Sequence, residues 1–255
     1  MLHAFPSLAC LLLYATLACV PRPKVAPPAA RTGAPPVANL GRYTRPVTTT
    51  SPDAQRRFDE GLAYMFAFNH DEAMRSFEAA ERLDPTCAMC AWGVALACGP
   101  HINQPRVPAE RARRAQEALG RAEKGQATAL ERGLMAAQAR RYGTSPDADR
   151  GPLDRAYADA MRTLWQAHPT DPDVGALFAE AAMDLRPWDL WRPDGEPQPG
   201  TEEIVTTLAA VVALAPLHPL ANHLTIHALE TSRHPERAAE AADRLRGLTP
   251  DLGHL

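Results

Sequence analysis

The chain has 255 residues, of which 45% are hydrophobic and only 6% are aromatic. This length and apolar content suffice to bury one sizeable core, and an aromatic-poor composition favours packed helices over a sheet. The net charge of −3, with acidic and basic residues intermixed, excludes the strongly basic surface that nucleic-acid binding requires.

The first residues are predicted to be an export signal. The apolar run 8–20 is too short to span a bilayer as a permanent helix. The tetrapeptide Thr-Leu-Ala-Cys that ends at Cys19 resembles the cleavage box of bacterial lipoproteins, in which the cysteine is lipidated. We therefore expect residues 1–19 to be a lipoprotein-like signal peptide, with an ordinary secretory signal as the alternative. The valine after Cys19 indicates the outer membrane.

Residues 20–50 are rich in proline and alanine, which predicts an extended, semi-rigid linker. The folded domain is expected at 51–255, where helical periodicity alternates with capping residues and with proline or glycine. The predicted helices cover 53–69, 70–84, 86–98, 108–124, 127–141, 153–167, 171–185, 201–214, 219–231 and 235–248.

The first two predicted helices carry small and aromatic residues at the spacing that two nested antiparallel helices need. These residues are Gly61, Tyr64, Ala73, Phe77, Ala80 and Pro85. They resemble the signature of the tetratricopeptide repeat (TPR), whose period is about 34 residues. The resemblance implies an all-α fold, a TPR-like array of helical hairpins (an α-solenoid) with a right-handed superhelix. Ala95 stands where the signature glycine would recur, so only the first repeat is close to consensus.

Two tryptophans, Trp188 and Trp191, flank Asp189 in a proline-bounded loop between helices. Insertions in stacked repeats gather on one face, often the binding face, so all three are candidate binding residues. The alternative is that the tryptophans plug the apolar edge between two repeats. His101 and Asn103 follow a helix end and are candidates for the same groove; alternatively, they satisfy helix-end carbonyls.

His223 and His227 lie one helical turn apart, a spacing that can hold two ligands of a zinc or copper ion. Glu230 shares their face and is a candidate third ligand, and His254 is a candidate fourth. Leu224 replaces the glutamate of metalloprotease helices, which excludes a hydrolase of that kind. The alternative is a pair of hydrogen-bonded packing histidines.

Cys87 and Cys90 begin a helix in a chain with an export signal, which predicts either a disulfide or two buried thiols. Haem attachment would need a histidine where Ala91 stands. A zinc site that adds Cys98 and His101 has poor geometry, because Cys98 would lie about 12 Å along the helix from Cys90.

Several stretches together resemble a family of exported bacterial TPR proteins whose biochemical role is unassigned. They are Phe68-Asn69-His70-Asp71-Glu72-Ala73, Cys87-Ala88-Met89 with Trp92-Gly93, Gly99-Pro100-His101-Ile102-Asn103, 185–191, and Asn222-His223 with Ile226-His227. The resemblance implies a longer chain that continues past His254 into a further histidine-containing stretch. We therefore expect this chain to be a C-terminally truncated gene product.

These features predict a non-enzymatic scaffold in the cell envelope, lipid-anchored, at the outer membrane and facing the periplasm. Its expected partner is a protein or peptide held in the concave groove, with no nucleic acid and no cofactor. The alternative is an exported zinc- or copper-binding protein, either a binding protein or a metal-dependent enzyme, that uses His223 and His227 with the tryptophan loop as a lid. A structural assembly subunit is a third possibility.

Overall fold

A computed structural model of the chain describes residues 39–143, 148–252 and 254. In this part of the chain every regular element is helical. The helices are α1 Pro52–Phe66, α2 His70–Leu83, α3 Ala88–Ala97, α4 Ala109–Ala122, α5 Ala129–Arg140, α6 Arg150–Ala167, α7 Pro172–Met183, α8 Thr201–Leu214, α9 Pro219–Leu229 and α10 Ala239–Leu245. The predicted signal peptide, Cys19 and residues 20–38 of the predicted linker lie outside the described residues.

Each helix packs against the next one along the chain, as an array of hairpins requires. The helical prediction is confirmed at this level, and the observed helix ends lie within three residues of the predicted ones. The last predicted helix, 235–248, is the exception. It starts as a 3-10 turn over Pro235–Ala238, in which the N–H of Arg237 bonds to the His234 carbonyl three residues back. Among the described residues, no helix combines the length and apolar character needed to cross a membrane.

Phe77 fixes the spacing of the first three helices. A Cβ atom added at Gly61 of α1 would lie 2.5 Å from Cε1 of Phe77, and one added at Gly93 of α3 would lie 2.4 Å from its Cδ1. The ring on α2 therefore contacts the bare backbone of both neighbouring helices. The second close approach falls at Gly93, two residues before Ala95, the position that the repeat period predicts.

Residues 39–51, expected almost entirely in the linker, pack against the helices instead. The Arg45 guanidinium bonds to Asp171 at 2.9 Å and to Asp173 at 2.6 Å, and the Tyr43 hydroxyl donates to Asp173 at 2.6 Å. Arg45 and Asp173 are buried, and a buried charge is tolerated only when it is paired in this way. The segment therefore belongs to the folded unit.

The array curls so that its first helix meets α9. The ring of Phe66, the last residue of α1, lies 5.3 Å from the imidazole of His218, which precedes α9. The Phe66 carbonyl oxygen lies 3.5 Å from Nδ1 of His223. This contact places the turn after α1 beside the histidines of α9.

Candidate metal centre

Buried hydrogen bonds fix the start of α9, the helix that carries two of the candidate ligands. His218 caps it: Nδ1 accepts from the Ala221 N–H at 3.2 Å, and Nε2 donates to the Asp173 carboxylate at 3.2 Å. Pro219 occupies the first turn, where its missing N–H costs nothing. The Asn222 side-chain amide donates to the His218 carbonyl at 2.9 Å. These contacts fix the rotation of α9 and thus the direction of its histidines.

Three imidazoles converge at this place: His223, His227 and His254, here called the histidine triad. One ring nitrogen from each lies within 4.8 Å of the other two. The Nε2 atoms of His223 and His227 are only 2.9 Å apart. His254 approaches from beyond α10, with its ring centroid 5.0 Å from that of His223. The structure thus brings together three of the four residues that the sequence offered as ligands.

Glu230, the remaining candidate ligand, contacts the triad from outside, through His227. Its carboxylate accepts a hydrogen bond from Nδ1 of His227 at 2.8 Å. On His223, Nδ1 points at the Phe66 carbonyl. Because a carbonyl and a carboxylate only accept, both Nδ1 atoms carry the proton, and neutral rings then direct Nε2 lone pairs at each other. Outer partners of this kind orient metal-binding imidazoles in many proteins.

Phe68 lies between the triad and a second pair of histidines. Its ring centroid is 4.9 Å from that of His223 and 5.5 Å from that of His254. Its other neighbours are His101 at 5.5 Å and His70 at 5.6 Å. These two, here called the stacked pair, lie face to face with centroids 4.0 Å apart. Phe68 has φ +59°, a left-handed conformation that is strained for a bulky residue.

Burial favours the neutral form of His223, His70 and His101. It lowers the pKa of His223 to about 3, with His227 and His254 nearby adding to the effect. It also lowers the pKa of His70 to about 3 and that of His101 to about 4. Near pH 7 these rings therefore keep a free lone pair, the form in which histidine binds a metal ion.

The two tryptophans of the 186–195 loop have different roles. Trp191 is partly buried and its indole N–H donates to the Ala228 carbonyl of α9 at 2.7 Å, consistent with a plug. Trp188 is 56% exposed, and its ring centroid lies 5.1 Å from that of His227, with the two rings nearly perpendicular. Its backbone is also left-handed (φ +60°), and its indole donates to the Ile102 carbonyl at 2.9 Å. Trp188 thus forms the rim of the site.

The remaining candidate binding residues lie away from the triad. Asp189 is exposed and pairs with Arg186 at 2.9 Å, and Asn103 is exposed in the turn after α3. The ring of His101 stacks on His70, and its buried Nδ1 has no hydrogen-bond partner among the described residues.

The cysteines form no metal site in the described part of the chain. A disulfide joins Cys87 and Cys90 at the start of α3, where both are buried. Cys98 is a buried free thiol whose Sγ lies 3.6 Å from the Met74 sulfur. Among the described residues, only the triad brings three ligand-type side chains within reach of one ion.

No functional role was assigned to Phe68 or His70 from the sequence. Both belong to the stretch 68–73, one of those that carry the family resemblance, and this is the only signal that pointed to them. Phe68 meets the triad because the end of α1 contacts α9, which brings together positions more than 150 residues apart, and His70 meets His101 across the α2–α3 packing.

Comparison with known protein families and with curated proteins found no match for this chain.

Proposed function

We propose that this chain binds a divalent zinc or copper ion through the histidine triad. The observation that carries the proposal is the convergence of three imidazole nitrogens within 4.8 Å, two of them 2.9 Å apart. A tetrahedral ion with bonds of about 2.0–2.1 Å to imidazole spaces its ligand atoms about 3.3 Å apart. The His223–His227 separation of 2.9 Å lies close to that value, and the nitrogen of His254 lies within 4.8 Å of both, so side-chain movements suffice to bring the three nitrogens to one ion.

The protonation of the rings gives a second reason. With both Nδ1 atoms acting as donors, the facing Nε2 lone pairs of His223 and His227 repel each other unless a cation lies between them. A metal ion provides that cation. A proton shared between the two rings is the competing explanation, and it makes a different prediction for metal content.

The ligand set narrows the choice of metal. Imidazole nitrogens suit zinc and copper, and at equal geometry the order of affinities favours copper(II). Three protein ligands leave a fourth position, at which a bound ion can polarise a water molecule or another small ligand. The proposal is for metal binding, and the lack of enzymatic activity stays a prediction.

Metal content tests the proposal directly. We expect chain purified without chelator, then incubated with Zn²⁺ or Cu²⁺ and dialysed, to retain about one ion per chain. The His223→Ala/His227→Ala variant should lose it, whereas His234→Ala, which removes an exposed histidine outside the triad, should retain it. Wild-type chain that retains no stoichiometric metal would overturn the proposal and leave the shared proton.

Glu230, which accepts a hydrogen bond from His227, provides a second test of the metal site. Glu230→Gln removes the carboxylate that holds His227, and such changes weaken metal binding about 10- to 100-fold. Glu236→Gln is the matched control, because Glu236 pairs with the exposed His234. Equal affinities in the two variants would mean that Glu230 does not orient a ligand.

A peptide-binding platform is the second candidate, and an apolar groove favours it. Helices α8 and α10 both pack on α9 and leave between them a cavity of about 430 Å³. Val205, Leu208 and Val212 of α8 line it, and Arg237 lies at its edge. This groove fits the apolar face of an amphipathic helix. Val212→Glu should abolish capture of such a partner from envelope extracts, whereas the exposed Thr206→Glu should not.

The peptide-binding proposal includes the envelope location expected from the sequence, with a lipid on Cys19 as the only membrane attachment. It also keeps the TPR-like arrangement, which the Gly61 and Phe77 packing and the successive hairpins support, and the right-handed superhelix expected from the sequence. Release of a Cys19→Ala variant from membranes into the soluble fraction would support the anchor.

A further inference from the structure

The segment 43–49, which precedes α1 and is here called the strap, docks on the helices through specific hydrogen bonds. The Arg45 N–H donates to the Asp59 carboxylate of α1 at 3.0 Å. Thr48 donates twice to Glu131 of α5, from its N–H at 2.8 Å and from its hydroxyl at 2.6 Å. The strap therefore has a defined position, although it forms no helix of its own.

Asp173 of α7 joins the strap to α9. Its buried carboxylate accepts from the Tyr43 hydroxyl at 2.6 Å and from the Arg45 guanidinium at 2.6 Å. It also accepts from Nε2 of His218, the residue that caps α9, at 3.2 Å. Burial by itself raises the pKa of this carboxyl, but its three donors lower it to about 2, so the group stays ionised and only accepts. One carboxylate thus holds the strap and α9 together.

Aromatic contacts link the strap to the triad a second time. The Tyr43 ring centroid lies 5.5 Å from that of Phe66 and 5.0 Å from that of His218. Phe66 ends α1, and its carbonyl oxygen lies 3.5 Å from Nδ1 of His223. Tyr43 therefore contacts both the residue that caps α9 and the residue whose carbonyl faces a triad imidazole.

We propose that Tyr43 and Asp173 are positioning residues of the metal site. This role, which rests on the proposed metal binding, is exerted through the cap of α9 and through the Phe66 carbonyl that faces His223. Metal affinity depends on such indirect contacts, because ligand side chains that are already held in place lose less freedom on binding. Contact of the strap with α7 and α9 therefore raises the affinity of the triad for its ion.

Two variants that each remove one hydroxyl group test this role in the full chain. Tyr43→Phe deletes the donor to Asp173 and keeps the ring, whereas Thr48→Val deletes the hydroxyl donor to Glu131 and keeps the branched shape. Both hydroxyls donate to buried carboxylates at 2.6 Å, so the two changes should cost similar stability. Tyr43→Phe should weaken Zn²⁺ binding about fivefold, and Thr48→Val should bind like the wild type.

A variant of the α9 cap tests the link itself. His218→Ser keeps a side-chain oxygen that can cap the helix but loses the hydrogen bond to Asp173. It should weaken Zn²⁺ binding at least as much as Tyr43→Phe. In metal-free chain, the ¹⁵N shifts of the His223 ring should change in both of these variants and stay as in the wild type in Thr48→Val. A loss of stability alone would leave these shifts unmoved.

The two readouts separate the positioning role from metal binding. If folded Tyr43→Phe chain binds Zn²⁺ as tightly as Thr48→Val chain, Tyr43 is a structural residue only and the inference is overturned. If the wild-type chain binds no metal, the metal proposal fails, and the His223 shifts decide on positioning by themselves. A shift that changes in metal-free Tyr43→Phe then supports positioning, and an unchanged shift overturns it.

Discussion

Two phenylalanines of the first hairpin, Phe77 and Phe68, lie in opposite environments. Phe77 is completely buried on α2, has helical backbone, and presses against the backbone of Gly61 and Gly93. Phe68 lies in the turn between α1 and α2, is half-buried, and has a left-handed backbone. Its ring neighbours are imidazoles rather than glycines.

The comparison separates architecture from chemistry within one hairpin. The apolar contact of Phe77 sets how close three helices come, and such packing stabilises a fold without creating a site. Around Phe68 the structure combines strain, buried imidazoles and an unpaired His70 nitrogen. Features of that kind cost stability and persist where the surrounding structure holds them, which is typical of functional sites.

The largest expected effect is the loss of the Phe77 ring. Phe77→Ala should lower the free energy of unfolding by about 3–5 kcal/mol, because it leaves a cavity between helices held apart by that ring. Urea unfolding followed by circular dichroism measures it. The folded fraction should bind metal with unchanged affinity. Reduced affinity in folded Phe77→Ala chain would show that the two regions are coupled.

The prediction of intermediate size concerns the histidine region: the free energy of unfolding should fall at acid pH because of the buried histidines. The folded-state pKa of His70 is about 3, well below the usual value near 6.5, so between these pH values only the unfolded chain takes up the proton. Stability is therefore fully present above pH 6.5 and falls as the pH drops. At pH 5 this residue alone should cost about 2 kcal/mol.

The free energy of unfolding, measured at pH 7 and at pH 5, checks that stability falls as the pH drops. His101, Arg111 and Arg141 also disfavour the charged form of His70, but burial is the main cause. His70→Gln should lose only the share of the pH dependence that comes from His70, about 2 kcal/mol between pH 7 and pH 5, because His101 and His223 keep theirs, whereas Phe77→Ala should keep the whole dependence. A His70→Gln variant with the same acid dependence as the wild type would contradict the prediction.

The same contrast explains what the sequence was able to predict. Helix positions and the role of Gly61 and Phe77 follow from local spacing, because contacts within one hairpin are close in sequence. His223 and His227 were also found from local spacing, as residues one turn apart. The contact of Phe68 with the triad depends on the meeting of α1 and α9, and the stacked pair depends on the meeting of the start of α2 with the turn after α3. No local pattern encodes either contact. Residues 39–51 were missed for the same reason, since Arg45 pairs with Asp171, just before α7, and with Asp173 in its first turn.

The smallest expected effect is the difference in stability between a glycine and an alanine variant at the same position. It is the sharpest test, because the sign of this difference should reverse between Phe77 and Phe68. At Phe77, inside a helix, glycine should be about 1 kcal/mol less stable than alanine, since glycine loses more backbone freedom on folding. At Phe68 the backbone has φ +59°, which an alanine adopts only with strain and a glycine adopts freely.

Phe68→Gly should therefore be more stable than Phe68→Ala by about 1 kcal/mol, although both lose the same ring. The four variants can be compared by urea unfolding at one pH. If alanine were better than glycine at both positions, the left-handed turn would relax once the ring is gone. In that case the imidazoles that surround Phe68, and not its backbone, would be what holds the turn in its strained form.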